Sequence, residues 1–139
     1  NALIPLACLE AAQLTADDDE RAQFRRAAHE TLDYVLREMT TPEGAFASTQ
    51  DADSEGVEGK FFVWSKAEVE EVLGKALAEP FCYAYDVSES GNWEHQNILH
   101  LAKPIAQTAQ VLRMDRAELE NLLQDGRAKL LARRSQRIA

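Results

Sequence analysis

Residues 24–39 read FRRAAHETLDYVLREM, and their apolar members Phe24, Ala28, Leu32, Val35 and Met39 recur at steps of three and four. That spacing puts them on one stripe of an α-helix. Upstream, residues 15–19 are polar and read as a turn, with Asp18 or Asp19 placed to cap the helix. Before the turn, a first helix runs to Leu14, with Pro5 tolerated in its first turn. Residues 2–9 are apolar almost without a break, a pattern normally enclosed by other helices. The two segments predict an antiparallel helical hairpin of about 40 residues, a repeating unit of larger α architectures.

Downstream, Thr41-Pro42-Glu43-Gly44 is turn chemistry, because Pro presets φ and Gly permits positive φ. Residues 45–49 and 60–64 read as two short antiparallel strands joined by an acidic loop over 50–60, a small β insertion at about residues 44–64. Ser65-Lys66-Ala67-Glu68 has the spacing of a capping box and opens a helix carrying Val69, Val72 and Leu73 that Gly74 ends. Pro80 suits the first turn of a short helix through Tyr85. A polar loop over 88–97 holds Gly91, and residues 98–101 read as extended. Pro104 opens a helix through Leu112. Asp115 caps a last helix, with Leu119, Leu122, Leu123, Leu130 and Leu131 on its buried side. The fold expected is mainly α, one domain over residues 1–139 built from helical hairpins with a small β-hairpin insertion.

Composition narrows the function classes. Fifteen Lys and Arg against 24 Asp and Glu give a formal net charge of −9. Such a surface repels phosphate backbones and anionic lipid, so neither nucleic acid nor membrane is an expected partner. The basic trio Arg133, Arg134 and Arg137 suits the negative end of the last helix better than it suits a polyanion. Cys8 and Cys82 lie far apart in apolar stretches and read as free, buried thiols rather than a disulfide framework. With no signal peptide and no membrane-length apolar run, a cytoplasmic location is expected. Asn1 in place of Met, the all-apolar first helix and the stop just past the last helix predict a slice of a longer chain.

The string Gly44-Ala45-Phe46, Asp51-Ala52-Asp53-Ser54-Glu55-Gly56, Glu58-Gly59-Lys60-Phe61-Phe62-Val63-Trp64 is uncommon. With Gly91-Asn92-Trp93-Glu94 and Asn97-Ile98-Leu99-His100, it resembles the spermatogenesis-associated protein 20 family, whose bacterial members are described as thioredoxin-domain proteins of unknown function. The resemblance implies a thioredoxin-like domain followed by an (α/α)6 toroid similar to six-hairpin glycosidases, of which this chain is an interior slice of about two hairpins. It departs from the family pattern at Gln50, where an acid is expected, at Trp93, where Phe is usual, and at His95-Gln96, where Gly-Lys is usual.

Three chemical readings compete for the acidic loop. Asp51-x-Asp53-x-Glu55-Gly56 copies the start of an EF-hand loop, but its twelfth position is Phe62 rather than a bidentate Glu, so no metal site and no cofactor are expected. Paired carboxylates can instead serve as general acid and base or nucleophile on a glycosidic bond. That reading assigns catalytic roles to Asp51, Asp53, Glu94 and His100. It assigns ligand contacts to Glu55, Trp64, Asn92, Trp93 and Asn97, the indoles offering flat faces to a pyranose. In the third reading the acids cap neighbouring amides or pair with Lys60, the glycines supply positive φ, and Trp64 is core. His29 is expected on the surface and His100 half-buried.

The leading expectation is a partial toroid that binds or processes a carbohydrate-like ligand in the intact protein, with no turnover by this chain alone. Its alternative is a non-enzymatic scaffold supporting a thioredoxin-like domain or a protein partner. Apolar helix faces left unmatched predict self-association.

Overall fold

Asp17 starts the long second helix: its carboxylate accepts from the N–H groups of Asp19 (2.8 Å) and Glu20 (3.0 Å). The cap therefore falls one residue before the expected Asp18 or Asp19. Asp18, Asp19 and Glu20 fill the first turn instead, where negative charge meets the positive end of the helix dipole. The computed structural model describes residues 2–138. Among these it contains six helices and one two-stranded antiparallel sheet. The chain falls into two compact units, Asn1–Gln50 and Asp51–Ala139.

In the first unit, α1 (Leu3–Leu14) and α2 (Asp18–Glu38) fold back on each other across a three-residue link. Pro5 lies in the first turn of α1, as expected, and is buried with Ala12 and Ala28. The apolar stripe of α2 is only partly covered: Ala28 is buried, but Leu32 is 49% exposed, and Leu36, outside the stripe, is 64% exposed. On α1, Leu3, Leu6 and Leu14 are exposed by 78%, 55% and 86%. Beyond α2, Gly44 N–H closes a turn on Thr41 O, Thr40 bridges Phe46, and the Tyr34 hydroxyl donates to the Gln50 side chain.

The second unit holds β1 (Asp53–Ser54), β2 (Val57–Glu58), α3 (Lys66–Leu73), α4 (Lys75–Ala84), α5 (Ile105–Leu112) and α6 (Arg116–Arg134). The sheet lies inside the acidic stretch rather than on either side of it. Residues 45–49 and 60–64 do not pair with each other. Gly59, at φ +70°, starts a turn that takes the N–H groups of Phe62 and Val63, and Trp64 bridges Asn97 instead. The carbonyls of Phe61 and Val63 point at a guanidinium, so they are not available to a strand ladder.

Ser65 caps α3 by accepting from Glu68 N–H at 3.1 Å, while the Glu68 carboxylate turns to Arg137. Gly74 ends α3 and begins α4 at φ +72°. Pro80 sits in the middle of α4 rather than in its first turn. It withholds the N–H that Ala76 O would accept, and Ala76 is exposed, so water can take that carbonyl. Asp115 caps α6 through Ala117 and Glu118 N–H, as its sequence suggests. Leu119, Leu123 and Leu130 are buried, and Leu122 packs against the core, but Leu131 is 39% exposed and lies off the packed stripe.

The core of this unit gathers Trp64, Val69, Leu73, Phe81, Tyr85, Leu119 and Leu123. Phe81 and Tyr85 stack with centroids 4.5 Å apart, and Arg127 donates to the Tyr85 hydroxyl at 2.9 Å. The close approach of α4 to α6 depends on Gly126. A Cβ there would lie 2.5 Å from Phe81 Cδ2.

Candidate functional site

The acidic stretch is held by its own backbone. Asp51 Oδ1 accepts from Asp53 N–H at 3.0 Å, the Asx turn that an Asp two residues before a strand can form. Ser54 and Val57 pair across a two-residue turn whose members Glu55 (φ +52°) and Gly56 (φ +76°) both have positive φ, the pattern of a type I′ hairpin. Glu55 then forms an ion pair with Lys60 at 2.6 Å. Gly56 at the second turn position was the one local signal for this hairpin.

A second tight turn faces the cleft. Trp93 and Gln96 exchange backbone hydrogen bonds across Glu94 (φ +44°) and His95 (φ +63°), again the I′ pattern but with no glycine to relieve it. The loop that carries this turn is anchored by two asparagines. Asn97 is 1% exposed; its amide donates to Trp64 O (3.0 Å) and Ser88 O (3.1 Å), and its Oδ1 accepts from Ser88 N–H (2.9 Å). Asn92 accepts from Ile98 N–H (2.9 Å) and donates to Ile98 O (3.0 Å). Both side chains are occupied by backbone.

Between the two turns lies a cleft of about 670 Å³. Glu55, Val57 and Glu58 form one wall, Trp93, Glu94 and Gln96 another, and Arg137 and Ile138 line it from beyond α6. Trp93 is half-buried, its ring edge so close to Gly59 that a Cβ there would sit 3.0 Å from Cη2.

Of the residues singled out by sequence, the cleft brings together Glu55, Trp93 and Glu94. Asp51, Asp53 and His100 do not line it. His100 is exposed, with Nδ1 3.2 Å from Ile98 O and Nε2 3.9 Å from Asp86. Trp64 is 2% exposed, with the Arg137 guanidinium 4.0 Å from its ring centroid, so its face is already covered. Among the described residues, no three His, Cys, Asp or Glu side chains are grouped so as to hold a metal ion.

Glu58, one of the four carboxylates crowded into the acidic loop, was given no site role by sequence and shares the cleft with Glu94, and Arg137 was not placed at the site at all. The Arg137 guanidinium donates to Phe61 O (2.8 Å) and Val63 O (2.9 Å) and pairs with Glu68 (2.8 Å). Ser54 donates to Ile138 O, so the segment after α6 clamps both the hairpin and the turn that follows it.

No protein-family model matches the chain. It is 27% identical over 161 residues to spermatogenesis-associated protein 20 of Homo sapiens, a similarity covering 98% of this chain and 20% of that protein. The chain thus spans about a fifth of the length of the curated relative it matches.

Proposed function

We propose that the cleft between the two tight turns binds a carbohydrate-like ligand in a longer protein, where this chain supplies part of an (α/α)6 toroid. One observation carries the reading: the Trp93 ring shares a cleft of about 670 Å³ with the carboxylates of Glu55, Glu58 and Glu94. An indole offers an apolar face to the C–H side of a pyranose, and carboxylates accept from its hydroxyls. Such a combination of an apolar surface and few convergent polar groups is what small-molecule sites share. In this reading Glu94 and Glu58 contact the sugar, Glu55 steadies the hairpin through Lys60, and Asp51 shapes the turn that presents them. The helical hairpin of α1 and α2 is the kind of unit a toroid repeats. The net charge and the free thiols Cys8 and Cys82 suit the cytoplasm. No helix among the described residues is long and apolar enough to cross a membrane.

A panel of mono- and disaccharides tests the reading by melting temperature, because a ligand of the native state stabilises by mass action. A disaccharide is expected to raise the melting temperature of the wild type and to have no effect on Trp93→Ala or Glu94→Gln. An equal shift in Trp93→Ala contradicts the site.

A second reading, a non-enzymatic scaffold for a thioredoxin-like domain or a protein partner, is favoured by the use of Asp51, Asn92 and Asn97 for backbone hydrogen bonds. It predicts that no sugar shifts the wild type, while Asp51→Ala still lowers the melting temperature through the lost turn acceptor and Asp51→Asn, which keeps an Oδ1 for the Asp53 N–H, lowers it less.

A further inference from the structure

A second groove, of about 770 Å³, opens between α3, α4 and residues 102–103, away from the two tight turns. Its floor is apolar: Ala78, Cys82 and Val87 are buried there. Its rim carries three lysines, Lys66, Lys75 and Lys103, and three carboxylates, Glu70, Glu79 and Asp86.

These six charges are not equally available. Lys66 lies between Glu70 (3.6 Å) and Glu89 (3.4 Å), and that trio satisfies itself. Lys75 and Glu79 have no ion-pair partner among the described residues, although they stand one turn apart on α4. Lys103 meets only the neutral Tyr83, donating to its hydroxyl at 3.2 Å from a position 5.1 Å off the ring centroid. Asp86 faces only His100, at 3.9 Å. Two cations and two anions therefore remain for a ligand. A phosphate or other polyanion would meet Glu79 and Asp86, and a polycation would meet Lys75 and Lys103. Tyr83, the one aromatic ring lining the groove among the described residues, has Lys103 over one face, so it is a poorer platform for a sugar than an open indole.

We propose that this groove binds a short apolar peptide as a zwitterion, its carboxylate meeting Lys75 or Lys103, its ammonium meeting Glu79 or Asp86, and its side chains on the Ala78–Cys82–Val87 floor. The volume is in the range of pockets that enclose small ligands, and a dipeptide or tripeptide fits within it. The site is separate from the proposed sugar cleft and does not depend on it.

Amide NMR titration of the whole chain with leucyl-leucine, up to about 10 mM, tests the proposal. Saturable shifts are expected at Ala78, Cys82 and Val87. Capping the dipeptide by N-acetylation and C-amidation is expected to weaken binding about tenfold, the sum of two modest exposed ion pairs. Lys103→Glu and Glu79→Lys, both at exposed positions, should each weaken the free dipeptide several-fold and leave the capped one unchanged. Equal affinity for free and capped dipeptides overturns the proposal. So does an absence of saturable shifts on the groove floor.

Discussion

Arg137 donates two hydrogen bonds to the carbonyls of Phe61 and Val63, pairs with Glu68 and covers the Trp64 ring at 4.0 Å. Its side chain is only 18% exposed, so these contacts are little screened by water. Arg137→Ala should therefore lower the unfolding free energy by about 2–4 kcal/mol in a urea titration, since it removes the donor to two carbonyls, uncovers the Trp64 ring and leaves Glu68 only the longer contact to Arg133 at 3.9 Å. Arg137→Lys should restore less than half of that, because an ammonium cannot serve the fork and lie flat on the indole together. Nothing near Arg137 in sequence announces this role. Within Arg133-Arg134-Ser135-Gln136-Arg137 it reads as a complement to a helix end, and its partners lie 69 to 76 residues away. Cys82 is different: its apolar neighbours give it away as core, and burial pushes its thiol pKa up. A folded-state pKa above the unfolded value makes a contribution to stability that is complete below the unfolded pKa. That contribution fades as pH rises through the ordinary thiol range toward the folded-state value. Cys82 should accordingly label with iodoacetamide more slowly than Cys8 in the native protein, and at similar rates in urea. His95 occupies a left-handed position at φ +63°, where the family resemblance leads one to expect glycine. His95→Gly should raise stability by about 0.5–1 kcal/mol, the relief of strain less the entropy that glycine loses.

Helix boundaries carried by capping side chains were legible at the level of elements. Ser65 and Asp115 sit where the sequence puts them, and replacing either by Ala should cost about 1 kcal/mol. The cap of α2 is at Asp17 rather than Asp18 or Asp19 because three adjacent acids offer the same side chain, and Asp17 is the one with extended backbone just before the helix. The strands were misplaced for a different reason. Phe61-Phe62-Val63 has strong β character, yet Gly59 turns the chain and Arg137 takes the carbonyls, so a distant side chain overrides local preference. The turn at Glu55-Gly56 and the turn at Glu94-His95 make the candidate site, and the second lacks the glycine by which such turns are recognised. Between elements, Gly126 sets the spacing of α4 and α6. Gly126→Ala improves helix propensity by about 1 kcal/mol. The new methyl would lie 2.5 Å from a fully buried Phe81 ring, and overpacking of that kind costs about 1–3 kcal/mol. The mutant should be the less stable of the two, by about 1 kcal/mol, as read from its thermal midpoint.

At the scale of the molecule, the apolar residues of α1 were recognisable in the sequence as a surface in need of cover, and Leu3, Leu6 and Leu14 are exposed in this chain. Contiguous apolar area drives association. Sedimentation equilibrium should therefore show an average mass that grows with concentration, and Leu6→Glu with Leu14→Glu should return it to that of a monomer. A monomer at all concentrations would contradict that expectation. The proposed function rests on a narrower claim, that Trp93 is a sugar platform. Trp64 is sealed behind Arg137, so the two indole N–H resonances of this protein report separately on core and cleft. Titration with a disaccharide that raises the melting temperature should shift the Trp93 indole resonance saturably and leave that of Trp64 in place. A Trp93 resonance that does not move while such a ligand binds would contradict the account.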